Sequence, residues 1–263
     1  MTIRKRSARS VRTSWEPVAR WYDGWVGAEG SKHHRVLAIP ALQGLLDPQP
    51  NETILDIGAG QGVLAPHIVR SGARYVGVDA SPHLLRLARQ RHGRRARFIE
   101  ADARDLRSQS TLQAASFDAV TFLLSIQDMD PLDPVIDGAA WALKPGGRAV
   151  LLMTHPCFRV PRQSGWGWDD RRKLQFRRVD RYLSPLPVPM KAYHRQGDGA
   201  TRSFHRPLNA YINGLARHGL LIDRLDEIAA DALYHERARS TAEATALQEF
   251  PLFVAIRAWK VAP

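Results

Sequence analysis

Five short apolar runs punctuate the middle of this chain: TILDI at 53–57, YVGVD at 75–79, ARFIE at 96–100, FDAVTFLL at 117–124 and GRAVLLM at 147–153. Each has the length and the Val, Ile, Leu or Phe content of a buried strand, and segments of helical character separate them. The clearest is SPHLLRLARQRHG, where Ser81 suits an N-cap, Pro82 the first helical position and Gly93 the stop. Buried strands alternating with helices imply βαβ units and a parallel, doubly wound sheet covered on both faces.

In such a sheet ligands bind at the carboxyl ends of the strands, and the polar residues of this chain fall there. The first run opens into Asp56-Ile57-Gly58-Ala59-Gly60-Gln61-Gly62. Glycines at a strand-to-helix turn allow a tight bend and let a ligand reach bare backbone. The spacing GxGxG, with an acid two residues ahead, departs from the dinucleotide fingerprint, whose third glycine comes one residue later. The second run ends in Asp79, placed to accept hydrogen bonds from ribose hydroxyls. The third ends in Glu100-Ala101-Asp102-Ala103, and Asp102 can accept from an adenine amino group. The fourth ends in Ser125-Ile126-Gln127-Asp128, and Leu143-Lys144-Pro145-Gly146-Gly147 announces the fifth.

Around this core, residues 1–13 read as a disordered basic arm, 14–46 as a helical cap rich in aromatic residues, and 51–154 as the cofactor-binding core. Residues 155–204 read as an insertion after the fifth strand, and 205–263 as a helix and two final strands. The net charge of +12 is concentrated: residues 1–12 hold five Arg and Lys with no acid, and 155–206 hold twelve against four Asp. Basicity so localised suits an anionic substrate, a nucleic acid or a solvated surface. One cysteine, Cys157, excludes an internal disulfide framework and a cysteine-based zinc finger. His33 and His34 are adjacent and show no metal-ligand spacing, so no metal is expected. With no apolar stretch of membrane-spanning length and no secretory pattern, a cytoplasmic protein is expected, with no membrane partner.

Taken together, ILDIGAGQG, GVDAS, EADARDL, FDAVTFLLSIQDMD and LKPGGRAVLLM resemble the ordered motifs of class I S-adenosylmethionine-dependent methyltransferases of bacterial, small-molecule type. The resemblance covers about residues 50–155 strongly and 205–263 more loosely. It implies a mostly parallel, seven-stranded Rossmann-like sheet whose last strand is antiparallel, with S-adenosyl-L-methionine as cofactor and S-adenosyl-L-homocysteine as product. It further implies Asp79 and Ala80 at the ribose, Asp102 and Ala103 at adenine, and Asp56, Gly58, Ala59, Gly60 and Gly62 around the methionine portion. Leu124, Ser125 and Gln127 fall in the fourth motif, at the same crevice. WEPVARWYD resembles the N-terminal helix that closes over the cofactor, with Tyr22 as its contact.

Methyl transfer from a sulfonium needs alignment with the acceptor and exclusion of water, and a base only where the nucleophile carries a proton. His155, directly after the fifth strand, and Asp128, after the fourth, are the candidate catalytic groups. Cys157 has no cationic partner in sequence that would activate it. In the insertion, Trp166 and Trp168 can stack on a planar acceptor, and Arg159 and Arg162 can pair with an anionic group. The expected reaction is methylation of an O, N or C nucleophile on a small metabolite. RNA methylation is the alternative, though SIQD stands where a base-methylating Asn-Pro-Pro-Tyr type motif would lie. A non-catalytic cofactor-binding role is the third reading. The sequence does not indicate an oligomeric state.

Overall fold

The computed structural model describes residues 15–189, 201–234, 236 and 238–261; the predicted N-terminal arm lies outside them. Seven strands form the central sheet: β1 (Thr53–Ile57), β2 (Arg74–Asp79), β3 (Ala96–Glu100), β4 (Phe117–Leu123), β5 (Leu143–Thr154), and then β10 (Leu220–Ile228) and β11 (Phe253–Lys260). Their order is β10-β11-β5-β4-β1-β2-β3. All neighbouring pairs from β3 to β5 are parallel, and β11 runs antiparallel to both β5 and β10. Strand order reverses between β1 and β4, which opens a crevice at their carboxyl ends.

The strands are apolar on both faces because helices cover both. Leu55, Ile57, Val120, Phe122 and Leu151 point into one layer with α5 (Leu132–Ala142) and α6 (Leu208–Arg217). Ile54, Ala119, Leu123, Val150 and Leu152 point into the other, against α2 (Ile39–Leu46), α3 (Ala65–Arg70) and α4 (Pro82–His92). Each buried leucine or isoleucine contributes roughly 1.5–3 kcal/mol, so these two layers carry the fold. Helix α4 starts as its sequence predicts: Ser81 Oγ accepts from Leu84 N–H at 3.2 Å, and Gly93 N–H closes on Arg89 O at 2.9 Å.

Two sequence readings need adjustment. The fourth strand stops at Leu123, because Leu124 turns into the left-handed region at φ +54°. The fifth starts at Leu143, since Lys144 to Gly147 are absorbed into its entry. The cap comprises α1 (Ala19–Val26), then a π-turn at His34–Ala38 that runs into α2. It is tied to α4: Asp23 pairs with Arg91 through two bonds of 2.6 and 2.9 Å, and Glu16 accepts from Ser81 Oγ and His83 N–H.

The insertion is more regular than its sequence suggests. It holds two antiparallel hairpins, β6 (Ser164–Asp169) with β7 (Leu174–Val179), and β8 (Leu186–Pro189) with β9 (Arg202–His205). Gly167 sits opposite Phe176, whose ring would collide with a Cβ at 2.3 Å, so the ring covers the glycine. Before the last strand come α7 (Asp231–Tyr234) and α8 (Thr241–Glu249). Among the described residues no helix is long and apolar enough to cross a membrane.

Candidate functional site

The carboxyl ends of β1 to β4 converge on a cleft of about 260 Å³. Its floor is the glycine loop. Gly58 lies at φ +79°, and a Cβ there would meet Ser125 Cβ at 2.5 Å and Met129 Cε at 2.9 Å. The loop presses this closely because Gly58 and Ala59 N–H both donate to Val78 O, at 2.8 and 3.0 Å, while Ser125 Oγ donates to Ile57 O at 2.7 Å.

Asp79 joins two elements. Its Oδ2 accepts from Gly60 N–H and its Oδ1 from Ser81 N–H, both at 2.8 Å. Each oxygen keeps lone-pair capacity for a ligand in the cleft, which Asp79 lines. Burial raises its carboxyl above the ordinary range, against the pull of these backbone donors. Asp102 caps the turn after β3 by accepting from Arg104 N–H at 2.9 Å, and it pairs with the Arg104 guanidinium at 2.5 Å. That pairing holds its carboxyl low.

Asp56 is 2% exposed and lies beneath the loop, where its Oδ2 accepts from Tyr75 Oη at 2.6 Å. Its other oxygen is buried without a partner. Burial raises its carboxyl from 3.8 to about 7, and Asp79 adds to the rise. The fold therefore takes up a proton here that the unfolded chain releases, so this group's contribution to stability falls as pH rises toward 7. Buried histidines such as His34, pulled down to about 4, act in the opposite sense below pH 6.5, so the effect is read by difference. From pH 5 to pH 8, Asp56→Asn should gain about 1–3 kcal/mol of stability relative to the parent chain. A difference flat across that range in denaturant titrations would contradict it.

A second cavity of about 580 Å³ adjoins the first, and the two share Trp15, Tyr22, Leu124, Asp128 and Phe204. Its walls are mostly apolar, with Pro156, Pro161, Val188, Leu252 and Phe253 among them. Asp128 stands at the junction. It accepts hydrogen bonds from the Ser203 hydroxyl and the Trp15 indole, and its Oδ1 is buried without a partner. Burial raises its carboxyl to about 7 despite those donors and Arg206. Gln127 Oε1 and Arg206 Nη1 are also buried without partners, and both residues line this chamber. Tyr22 lies over the junction, and burial together with Asp128, Asp79 and Asp56 holds its hydroxyl protonated, well above the ordinary range.

Of the residues predicted from sequence, Tyr22, Gly58, Gly60, Asp79, Ala80, Asp102, Ala103, Leu124, Ser125 and Asp128 line the cleft. Gln127, Arg159 and Arg162 line the second chamber. Asp56, Ala59 and Gly62 line neither and support the loop. Three predictions are corrected. His155 is 1% exposed and lines neither cavity: its Nε2 meets Glu227 at 2.7 Å and its Nδ1 accepts from Cys157 N–H at 3.2 Å. Both ring nitrogens are occupied by structure, because the residue lies against β10. Trp166 lines neither the cleft nor the adjoining chamber but a smaller cavity beyond Arg159. It packs edge-on against Phe250 at 5.6 Å, with Arg159 and Arg177 over its ring at 5.3 and 5.1 Å. Trp168, on the same exposed face of β6 as Trp166, is 47% exposed and donates to Asp170. Sequence reasoning missed Trp15, Ser203, Phe204 and Arg206, whose separation from Asp128 left no local pattern to read.

Known proteins share part of this chain's sequence and its fold. A model described as a methyltransferase domain matches residues 54–147. The chain is 39% identical over 110 residues to a cypemycin N-terminal methyltransferase from Streptomyces, covering 41% of this chain and 44% of the relative. It is 33% identical over 160 residues to a demethylmenaquinone methyltransferase from Tropheryma whipplei, covering 59% of this chain and 64% of that one. The chain thus spans between about half and two thirds of these relatives' lengths. The crystal structure of an S-adenosylmethionine-dependent methyltransferase from Mesorhizobium loti superposes with a TM-score of 0.68 at 26% identity, covering 89% of this chain and all of the other.

Proposed function

Because the chain belongs to the class I S-adenosylmethionine-dependent methyltransferases, we propose that it transfers a methyl group to a proton-bearing oxygen or nitrogen of a small molecule held in the second chamber, with Asp128 as general base. The observation that carries this reading is the position of Asp128. It is the one carboxylate shared by the two cavities among the described residues, it has an oxygen buried without a partner, and burial brings it to about 7. A base tuned near the working pH is in the right protonation state and still drives proton transfer.

The residues present suit the cofactor. The Gly58 turn leaves room that a Cβ would fill, Asp79 has lone pairs free for vicinal hydroxyls, and the charges of Asp128, Asp79 and Asp56 reach Tyr22, a negative setting that would suit a cationic sulfonium. When bound, S-adenosylmethionine supplies the methyl carbon and leaves as the neutral thioether. Asp128 would take the proton of the acceptor's oxygen or nitrogen as that atom's own lone pair attacks the methyl carbon that the cofactor supplies. Trp15, Tyr22 and Phe204 at the junction exclude water from the line of transfer. The insertion contributes Arg159, Arg162, Val188 and Ser203 to the acceptor side, which supports its reading as the segment that selects the acceptor. The mostly apolar walls favour a small molecule over RNA, which needs a basic track along its backbone.

Asp79→Ala removes both the ribose acceptor and the anchor of Gly60. Calorimetry should show S-adenosylhomocysteine affinity reduced by about 1–3 kcal/mol. Unchanged affinity would remove Asp79 from the cofactor site. The reaction itself is tested with labelled cofactor against a metabolite extract and total RNA. Label in a small molecule supports the proposal, and label in RNA alone overturns it.

A further inference from the structure

Three cavities lie in series. The cofactor cleft meets the acceptor chamber at the junction that holds Asp128. The acceptor chamber in turn meets an outer chamber of about 340 Å³ at His33, Arg159 and Leu252. Asp128 therefore marks the inner junction and Arg159 the outer one.

Half-buried Arg159 differs from the two buried arginines among the described residues. Arg148 pairs with Glu52 at 2.7 Å and Arg206 with Asp130 at 2.7 Å. Arg159 has no carboxylate within ion-pair distance among the described residues. It donates only to backbone, from Nε to Pro251 O at 3.1 Å and from Nη2 to Phe250 O at 3.2 Å. Those bonds and the Trp166 ring at 5.3 Å fix the guanidinium in place, and its Nη1 edge has no partner among the described residues. Partial burial and the nearby Arg177 pull it down to about 10, and no carboxylate within ion-pair distance opposes them among the described residues. Leaving a charge in that state is costly unless a ligand completes it. Arg162, on the wall of the same chamber, also lacks a carboxylate partner among the described residues. Arg159 and the exposed Arg162, both without counter-ions among the described residues, line a chamber with mostly apolar walls whose third guanidinium, Arg206, is paired with Asp130; this matches a single carboxylate on an apolar body.

We propose that the acceptor is an apolar, ring-bearing carboxylate, gripped by Arg159 at the outer junction while its N–H or O–H nucleophile meets Asp128 at the inner one. This rests on the methyl-transfer reading above and names the substrate class of that site. Trp15, Tyr22 and Phe204 face the ring, and a substituent beside the carboxylate can extend past Arg159 into the outer chamber.

The test is a thermal-shift and ligand-observed NMR panel on the protein saturated with S-adenosylhomocysteine. The probes are 4-hydroxycinnamate, 4-aminophenylacetate and indole-3-propionate, each beside its primary amide, with phenyl phosphate added. The carboxylates should bind at least tenfold more tightly than their amides. Arg159→Gln should erase that difference, and Arg159→Lys should restore part of it. Amides binding as well as the acids, a preference that survives in Arg159→Gln, phenyl phosphate binding in place of the carboxylates, or no binding by any probe would each overturn the proposal. The shift produced by S-adenosylhomocysteine alone is a separate readout. Its presence in every variant shows that the fold and cofactor site are intact, and its absence from the parent chain would sink the methyl-transfer reading instead.

Discussion

Asp128→Asn is expected to slow methyl transfer by about 10²- to 10⁴-fold while the protein still binds S-adenosylhomocysteine, which carries no sulfonium charge; that loss of rate is typical of removing a general base. The substitution keeps shape: Asn still accepts from Ser203 and Trp15 through its carbonyl oxygen. What it removes is the ability to take a proton at the junction of the two cavities. The pH profile separates this from a packing defect. Burial puts the Asp128 carboxyl at about 7, so it is protonated and inactive below that point, and kcat/KM should rise from pH 6 and level off near pH 8. Asp56 is also brought to about 7, but it lies beneath the glycine loop and lines neither cavity. Asp56→Asn should therefore keep the rising limb, and Asp128→Asn should lose it. A single-turnover profile in which Asp128→Asn retains both rate and limb would assign the base elsewhere.

Gly58→Ala is the second large effect. An L-residue at φ +79° costs roughly 1–2 kcal/mol in backbone strain. The new methyl would lie 2.5 Å from Ser125 Cβ, and that side chain is held by its bond to Ile57 O, so relief requires the loop or the end of β4 to move. Overpacking of that kind adds about 1–3 kcal/mol. The sum, about 2–5 kcal/mol, should appear as lowered stability in denaturant titration and as at least tenfold weaker S-adenosylhomocysteine binding. Gly60→Ala is the comparison. Its φ of +54° carries strain, but its nearest neighbour is Tyr22 at 3.8 Å, so only the strain remains and the loss should be about 1–2 kcal/mol. Equal losses at the two positions would show that the close approach at Gly58 is not what matters.

The sheet and the cofactor cleft were legible in the chain because their determinants are local. A buried strand announces itself within five to seven residues, as TILDI and FDAVTFL do, since each side chain goes into one of two apolar layers. The Gly58 turn and the caps at Ser81 and Asp102 follow from residues one to three positions apart. Asp79 is identified by its place at a strand end, and the parallel register of β1 with β2 then brings it to the glycine loop.

The acceptor side obeys no such rule. Its chamber is assembled from Trp15, Asp128, Arg159, Phe204 and Leu252, which no spacing in the sequence connects. His155 to Arg162 carry no signal that separates His155, turned toward Glu227, from Arg159, four residues later and turned toward the chamber. The tryptophans of β6 look like stacking residues in the sequence, but they share one exposed face of the hairpin, where the register sets Trp166 beside Arg177 and leaves Trp168 to solvent and Asp170. The sequence determined which residues form strands, turns and caps, because short-range sterics and hydrogen bonds select them. Tertiary packing decided which carboxylate loses its water and which arginine is left without a counter-charge, because desolvation depends on everything that surrounds a group rather than on its neighbours along the chain.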